Sequence, residues 1–172
     1  MSSLSTTDTG TRSLDLGSGP QPKNPFGATH LYGVDIRKFT SNQSVLAADL
    51  VVEPIPFPND SFHYVTAFDF IEHMPRVIYA PMRRNSFVEL MNEVYRVLMP
   101  GGLFMSSTPA YPKAAVFRDP THVNVITEET FTLYFDDRLR WAEMYGFNGR
   151  FKIESQYWHE NGINLDTIMR KV

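Results

Sequence analysis

The stretch Ser13-Leu14-Asp15-Leu16-Gly17-Ser18-Gly19-Pro20, answered by Leu31-Tyr32-Gly33-Val34-Asp35-Ile36, decides the fold. A short apolar run ends in two closely spaced glycines, and a second apolar run ends in an aspartate. That order predicts strand, tight turn, return segment and strand, with an acid at the tip of the second strand. In an open parallel sheet such tips line the crevice where nucleotide-like ligands bind. Glycine lets backbone approach a ligand where a Cβ would clash. Asp35 stands roughly 20 residues past the start of the motif, the offset at which an acid meets two ribose hydroxyls in dinucleotide folds.

The dinucleotide reading fails on a detail. G-x-G-x-x-G needs glycine at position 22, and the chain has Pro22. Pro20, Pro22 and Pro25 also deny the turn an immediate helix, because interior prolines remove donors and clash with the preceding turn. A pyrophosphate wants a helix N-terminus pointed at it. A ligand with an adenosine and no phosphate does not. S-adenosylmethionine is such a ligand, with a ribose for Asp35 and an amino-acid tail and sulfonium to lie over the glycine turn.

A chain of 172 residues is expected to form one domain, large enough for a sheet-and-helix core. Residues 1–12 are rich in Ser, Thr and Gly and are expected to be a disordered lead-in, leaving 13–172 as the domain. The net charge of -3 carries no basic footprint, so nucleic acid is not the expected partner. With no cysteine, disulfides, thiolate zinc sites and cysteine nucleophiles are excluded. No apolar run approaches the roughly 20 residues of a membrane span. The amino end lacks the basic start and apolar block of a signal peptide, so a cytoplasmic protein is expected.

Strands are predicted at 13–16, 31–35, 44–48, 63–68 and 103–106. The proline-rich stretch 20–30 and the dozen or so residues between the second and third strands leave room only for stunted helices. Phe87, Leu90, Met91, Val94, Val97 and Leu98 recur at helical spacing, predicting a helix over 84–98 that Pro100-Gly101-Gly102 stops. Residues 107–125 read as a long loop. Thr127 is the N-cap of a further helical stretch, broken near Asp136 and ended at Gly146. Strands at 151–158 and 163–169 flank Asn161-Gly162, a hairpin signal. The sum is an α/β fold: a Rossmann-like, doubly wound, mostly parallel seven-stranded sheet that ends in an antiparallel hairpin and carries shortened helices.

These residues bring a family into view. From residue 13 to the end the chain resembles the class I S-adenosylmethionine-dependent methyltransferases. The resemblance rests on DLGSGP (15–20), YGVDI (32–36), ADL (48–50), PFPNDSF (56–62), FDFIEHM (68–74), EVYRVLMPGGLFMSSTP (93–109) and Gly146-Phe147. It implies S-adenosylmethionine as cofactor and S-adenosylhomocysteine as product. By the same resemblance Asp15, Gly17, Ser18 and Gly19 surround the methionyl tail and Asp35 holds the ribose. Ile36 then lies against adenine, Asp49 and Leu50 at its edge, and Phe68 beside the sulfonium. The chain departs from the family in His63, usually Asp, in the prolines after Gly19, and in having no N-terminal cap of helices before the first strand. The substrate side is then open, to be closed by residues 107–126 or by a second subunit, a homodimer mate or a partner.

Methyl transfer from a sulfonium is an in-line displacement in which positioning and desolvation supply most of the acceleration. A hydroxyl acceptor needs a base, and histidine suits the task. His122, in Arg118-Asp119-Pro120-Thr121-His122-Val123-Asn124, lies past strand five at the carboxyl edge, with Asp119 near enough in sequence to orient its ring. Glu72 and His73 follow strand four at the tip expected to face the methyl group. Asp69, Glu72, His73, Asp119 and His122 also offer oxygen and nitrogen ligands. Nothing in their spacing fixes a separation, so they read as separate polar residues at a cleft rim and no metal is expected. The expected activity is methylation of a small molecule, at the hydroxyl of a sugar or other metabolite. The alternatives are a silent S-adenosylmethionine-fold subunit that supports a partner enzyme, and a nucleic-acid methyltransferase. The latter is disfavoured by charge, by the absence of cysteine, and by FDFIE where amino-directed base methylases resemble one another in carrying D/N-P-P-Y/F.

Overall fold

The computed structural model describes residues 9–172. Residues 1–8 of the expected lead-in lie outside the described residues, and the first strand, β1 (Arg12–Leu16), already includes Arg12. β2 (His30–Asp35), β3 (Val45–Ala47), β4 (Phe62–Phe68) and β5 (Leu98–Pro109) run parallel to β1 and to one another. β6 (Phe151–Trp158) and β7 (Asn164–Lys171) close a seven-stranded sheet in the order β3-β2-β1-β4-β5-β7-β6. β7 alone runs against the others, pairing antiparallel with both β5 and β6. The carboxyl ends of β1, β2, β3, β4 and β5 therefore share one edge, and the order reverses between β1 and β4, where ligands of such sheets bind.

The helices are fewer than the shortened set the sequence predicts. No helix forms between β1 and β2, β2 and β3, or β3 and β4. Prolines at 20, 22 and 25, and again at 54, 56 and 58, remove the donors a helix would need. Irregular backbone then has to cover the sheet. Ile55 and Phe57 are buried from the loop after β3, and Phe57 meets Tyr32 and Phe62 edge-on. Phe26 stacks on Tyr64, ring centroids 4.6 Å apart, from the loop after β1.

Loop backbone on a core needs partners for its polar groups, and α1 (Ser86–Val97) supplies them. Arg96 donates to Phe57 O at 2.8 Å and to Ile55 O at 2.9 Å, while Glu93 accepts from Ile55 N at 2.9 Å. Arg96→Ala leaves two loop carbonyls without these donors, and by the usual cost of such losses is expected to destabilise the protein by about 1–3 kcal/mol. Urea unfolding followed by circular dichroism measures this; a midpoint equal to that of the parent would refute it.

One segment differs clearly from the sequence reading. β5 extends beyond 103–106 at both ends. It follows α1 directly and bulges over Pro100-Gly101-Gly102, and its last residues pair with β7, Ser107 opposite Asp166 and Pro109 opposite Asn164. The helical stretch after Thr127 is interrupted, as expected, near Asp136. α2 covers Glu128–Tyr134, and a separate 3-10 turn covers Trp141–Tyr145. Asp136 is buried at the break and accepts from Arg138 Nε at 2.7 Å and Ile153 N at 3.0 Å, so it ties the break to β6. Burial pushes its carboxyl up, but the Arg138 guanidinium and these N–H donors outweigh burial and hold it below its ordinary value. Between α1, α2 and β6 the core is aromatic: Phe87, Phe131, Phe135, Phe147 and Phe151. Among the described residues no helix is long and apolar enough to cross a membrane.

Candidate functional site

The turn after β1 is shaped by two left-handed glycines, Gly17 at φ +67° and Gly19 at φ +60°. Gly17 N and Ser18 N both donate to Val34 O, at 2.8 and 3.2 Å, so the turn folds back across β2. This close approach gives Gly33 a role that sequence reading did not assign. A Cβ on Gly33 would lie 2.2 Å from Ser18 Oγ and 3.0 Å from the Pro22 ring.

Asp35 ends β2 beneath that turn. Its Oδ2 accepts from Gly19 N at 2.9 Å, and its Oδ1 accepts from Arg37 N at 2.9 Å and Arg37 Nε at 3.0 Å. Burial raises its carboxyl, yet Arg37 and the two backbone donors prevail, and Asp35 is held below the ordinary carboxylate value. The acid is thus charged and fully engaged. The Arg37 side chain, 68% exposed, is the partner free to swing aside for a pair of sugar hydroxyls.

Asp15 is buried one strand over, where Thr66 Oγ1 donates to it at 2.7 Å and Lys23 N at 2.9 Å. Burial pushes this carboxyl up, against those donors. The proline-rich segment thus crosses in front of β1 and carries Lys23 with it. The Lys23 ammonium sits 4.4 Å from the centre of the Phe68 ring, so this aromatic face already attracts a cation. Ser18 donates to Gly19 O within the turn. β3 pairs Asp35 with Ala47, which brings Ile36 beside Asp49 and Leu50. Ile36 is 69% exposed, whereas Leu50 is packed in the core and can offer a ligand only backbone. Asp49 Oδ1 accepts from Val51 N at 3.0 Å. All nine residues singled out for the cofactor therefore stand at or beside the carboxyl ends of β1, β2, β3 and β4.

A second cluster stands past β4. Asp69 leaves the strand at φ +48°, a left-handed conformation that aspartate tolerates, and accepts from Asn164 Nδ2 at 2.8 Å. A 3-10 turn, Ile71–His73, follows. Glu72 is 0% exposed, with Oε2 accepting from Thr108 Oγ1 at 2.6 Å. Burial raises its carboxyl, opposed by that hydroxyl. The segment after β5 returns to this turn: Val123 N and Asn124 N donate to Glu72 O at 2.9 and 3.0 Å, and Asn124 Nδ2 donates to Ile71 O at 3.1 Å. Arg76 locks the contact, donating to Asn124 Oδ1 at 2.7 Å and to Val125 O. His122 consequently meets His73 edge to face, ring centroids 4.9 Å apart.

One ligand-type atom from each of Glu72, His73 and His122 lies within 4.8 Å of the others. Asp69 and Asp119, read from the sequence with these three as separate residues at a cleft rim, are not part of this group. Hydrogen bonds fix both tautomers. His122 Nδ1 is 3.0 Å from Val116 O, which can only accept, so Nδ1 carries the proton. Thr121 Oγ1 gives its single proton to Asp119 Oδ1 at 2.7 Å, so His73 Nδ1, 3.0 Å from Thr121 Oγ1, must be a donor. In its neutral form each ring so held has Nε2 as its acceptor nitrogen. Asp119 orients His73 through Thr121, while the Val116 carbonyl orients His122; the expected pairing of Asp119 with His122 is corrected. The Thr121 hydroxyl and N–H hold the Asp119 carboxyl below its ordinary value.

Thr108, Thr121, Asn124 and Arg76 support the cluster and were not singled out from the sequence. The two threonines and Asn124 lie in or beside stretches already picked out, but nothing in their spacing says which histidine or carboxylate each serves. A cleft of about 560 Å³ lies nearby on the α1–α2 side, lined by Arg76, Phe87, Thr127, Tyr134, Trp141 and Tyr145 among others. Its walls include none of the glycine–aspartate set.

A family model described as "Methyltransferase domain" matches residues 14–106. No curated protein matches the chain. Among solved structures, an S-adenosylmethionine-dependent methyltransferase from Mesorhizobium loti is similar at TM-score 0.61 and 18% identity, over 94% of this chain and 91% of that one. One from Archaeoglobus fulgidus gives TM-score 0.59 and 16% identity, over 94% and 86%. A complex of the Trm112 methyltransferase activator from Haloferax volcanii with a methyltransferase gives 0.60 and 13%, over 94% and 83%.

Proposed function

This chain belongs to the methyltransferase-domain family and is a class I S-adenosylmethionine-dependent methyltransferase, and from that premise we propose that it methylates a hydroxyl of a small-molecule acceptor, a sugar or another metabolite. The observation that carries the proposal is the meeting of the His73 and His122 rings beside the buried Glu72 past the tip of β4, each ring with its Nδ1 held by a hydrogen bond.

The residues at the strand tips fit the cofactor. Gly33 keeps clear a space that a Cβ would fill, and the left-handed Gly17 and Gly19 shape a turn against it. When bound, S-adenosylmethionine supplies a methyl group made electrophilic by the positive sulfur, and leaves as S-adenosylhomocysteine. Asp35 receives the ribose hydroxyls in place of Arg37. Gly17, Ser18 and Gly19 present backbone to the amino-acid tail, and the Phe68 ring offers its face to positive charge. Ile36, Asp49 and Leu50 border the adenine. On the other side His122, or His73, takes the proton of the acceptor hydroxyl at Nε2, while the Nδ1 partner stabilises the imidazolium that forms. Tyr79, Met82, Tyr111 and Phe117 are exposed in the segments that follow β4 and β5, apolar surface that a second copy or a partner subunit would cover.

The test is methyl transfer from S-adenosylmethionine to a panel of sugars, phenols and other hydroxyl compounds, read as S-adenosylhomocysteine release. With the acceptor in hand, His122→Ala is expected to lower kcat by about 100-fold or more while cofactor affinity holds. Turnover confined to amine acceptors, or parent-like rates in His122→Ala, His73→Ala and the double variant alike, would refute the proposal.

A further inference from the structure

We propose that Glu72, His73 and His122 bind one divalent transition-metal ion of the zinc class on the acceptor side of the site. One ligand-type atom from each already lies within 4.8 Å of the other two, close enough for a single ion to sit between them at metal–ligand distances of ~2.0–2.2 Å once the side chains draw in. Two imidazoles and a carboxylate suit zinc, manganese, iron, cobalt or nickel, whereas magnesium prefers oxygen ligands alone.

Three further features point the same way. Imidazoles that hold a metal donate their other ring N–H to a carbonyl, a carboxylate or water, which fixes ring and tautomer. His122 does so to Val116 O, and His73 does so to Thr121, which is itself anchored on Asp119. Secondly, Glu72 is fully buried, and although Oε2 is satisfied by Thr108, Oε1 has no hydrogen-bond partner among the described residues. A buried carboxylate oxygen left unpaired is costly, and a cation is the partner that would relieve it. Finally, Glu72 makes no hydrogen bond with either imidazole, so the three groups converge without bonding one another.

Three protein ligands leave coordination positions open, as in catalytic metal sites. An acceptor hydroxyl bound at such a position would be made more acidic and would release its proton to solvent water, so that no free imidazole is needed as base when its oxygen takes the methyl group from the sulfonium. This catalytic consequence rests on the acceptor reading above; the metal binding does not.

The metal-stripped full chain is titrated with Co²⁺ and followed by visible absorption. One equivalent is expected to produce ligand-field bands that Zn²⁺ abolishes, and His73→Ala and His122→Ala are each expected to weaken binding by about 100-fold. Far-UV circular dichroism confirms that the variants fold, and S-adenosylhomocysteine titration of the same samples reads the cofactor site separately. Absence of the bands, or equal bands in both folded variants, overturns the metal site. Turnover in the stripped enzyme equal to that with Zn²⁺ added back overturns the hydroxyl-activating role.

Discussion

Asp35→Ala is expected to weaken S-adenosylhomocysteine binding by at least about 100-fold while the protein stays folded. Hydrogen bonds to a charged acceptor contribute roughly 1.5–3 kcal/mol each, and two ribose hydroxyls on one carboxylate together reach that factor. In the free protein the same carboxylate holds Gly19 N and the largely exposed Arg37 side chain. An exposed ion pair contributes only about 0–1 kcal/mol, so its loss is survivable. The control is Arg37→Ala, which removes the competitor from Asp35 and is expected to bind S-adenosylhomocysteine at least as tightly as the parent. Isothermal titration calorimetry on the three proteins decides the matter. Parent-like affinity in Asp35→Ala would mean that the acid merely caps the glycine turn.

The second large effect separates three glycines that the bare motif treats alike. Gly33→Ala is expected to damage cofactor binding most, Gly17→Ala next and Gly19→Ala least. At Gly33 the new methyl meets the Ser18 side chain at 2.2 Å and the stiff Pro22 ring at 3.0 Å, so the turn must move as a unit. Overpacking of this kind costs about 1–3 kcal/mol, and it displaces the very backbone that faces the ligand. At Gly17 a left-handed φ of +67° combines with a contact of 2.6 Å to the Phe70 ring. At Gly19 the nearest atom is the mobile Arg37 Nη2 at 4.0 Å, which leaves only the left-handed penalty of roughly 1–2 kcal/mol. Thermal melts and calorimetry give both stability and affinity. Gly19→Ala proving worse than Gly33→Ala would show that the turn does not lie on β2 in the working protein.

The shape of the candidate site's glycine turn and strand tips was legible because those signals are local. Gly17 and Gly19 announce a turn through their own backbone freedom, and Asp35 announces a strand tip because it ends an apolar run. The break at Asp136 was legible as well. Other features depend on partners distant in the chain. Leu50 reads as a crevice residue in its motif, yet its side chain is drawn into the core. Asp119 reads as a partner for His122, three residues on, yet its hydroxyl bridge leads to His73. The carboxyl end of β5 reads as loop, because its pairing with β7 is formed with residues more than fifty positions away.

From its residues alone, then, this protein's sheet, the edge that carries its chemistry and its kinship with methyltransferases could be derived, since apolar runs, glycine dihedrals and proline breaks act within a few residues. Only the tertiary structure decided that Glu72, His73 and His122 form one group. What joins them is a pair of backbone N–H groups, on Val123 and Asn124, that both reach the Glu72 carbonyl. Such bonds form only after the sheet has set β4 beside β5, and no spacing along the chain encodes them.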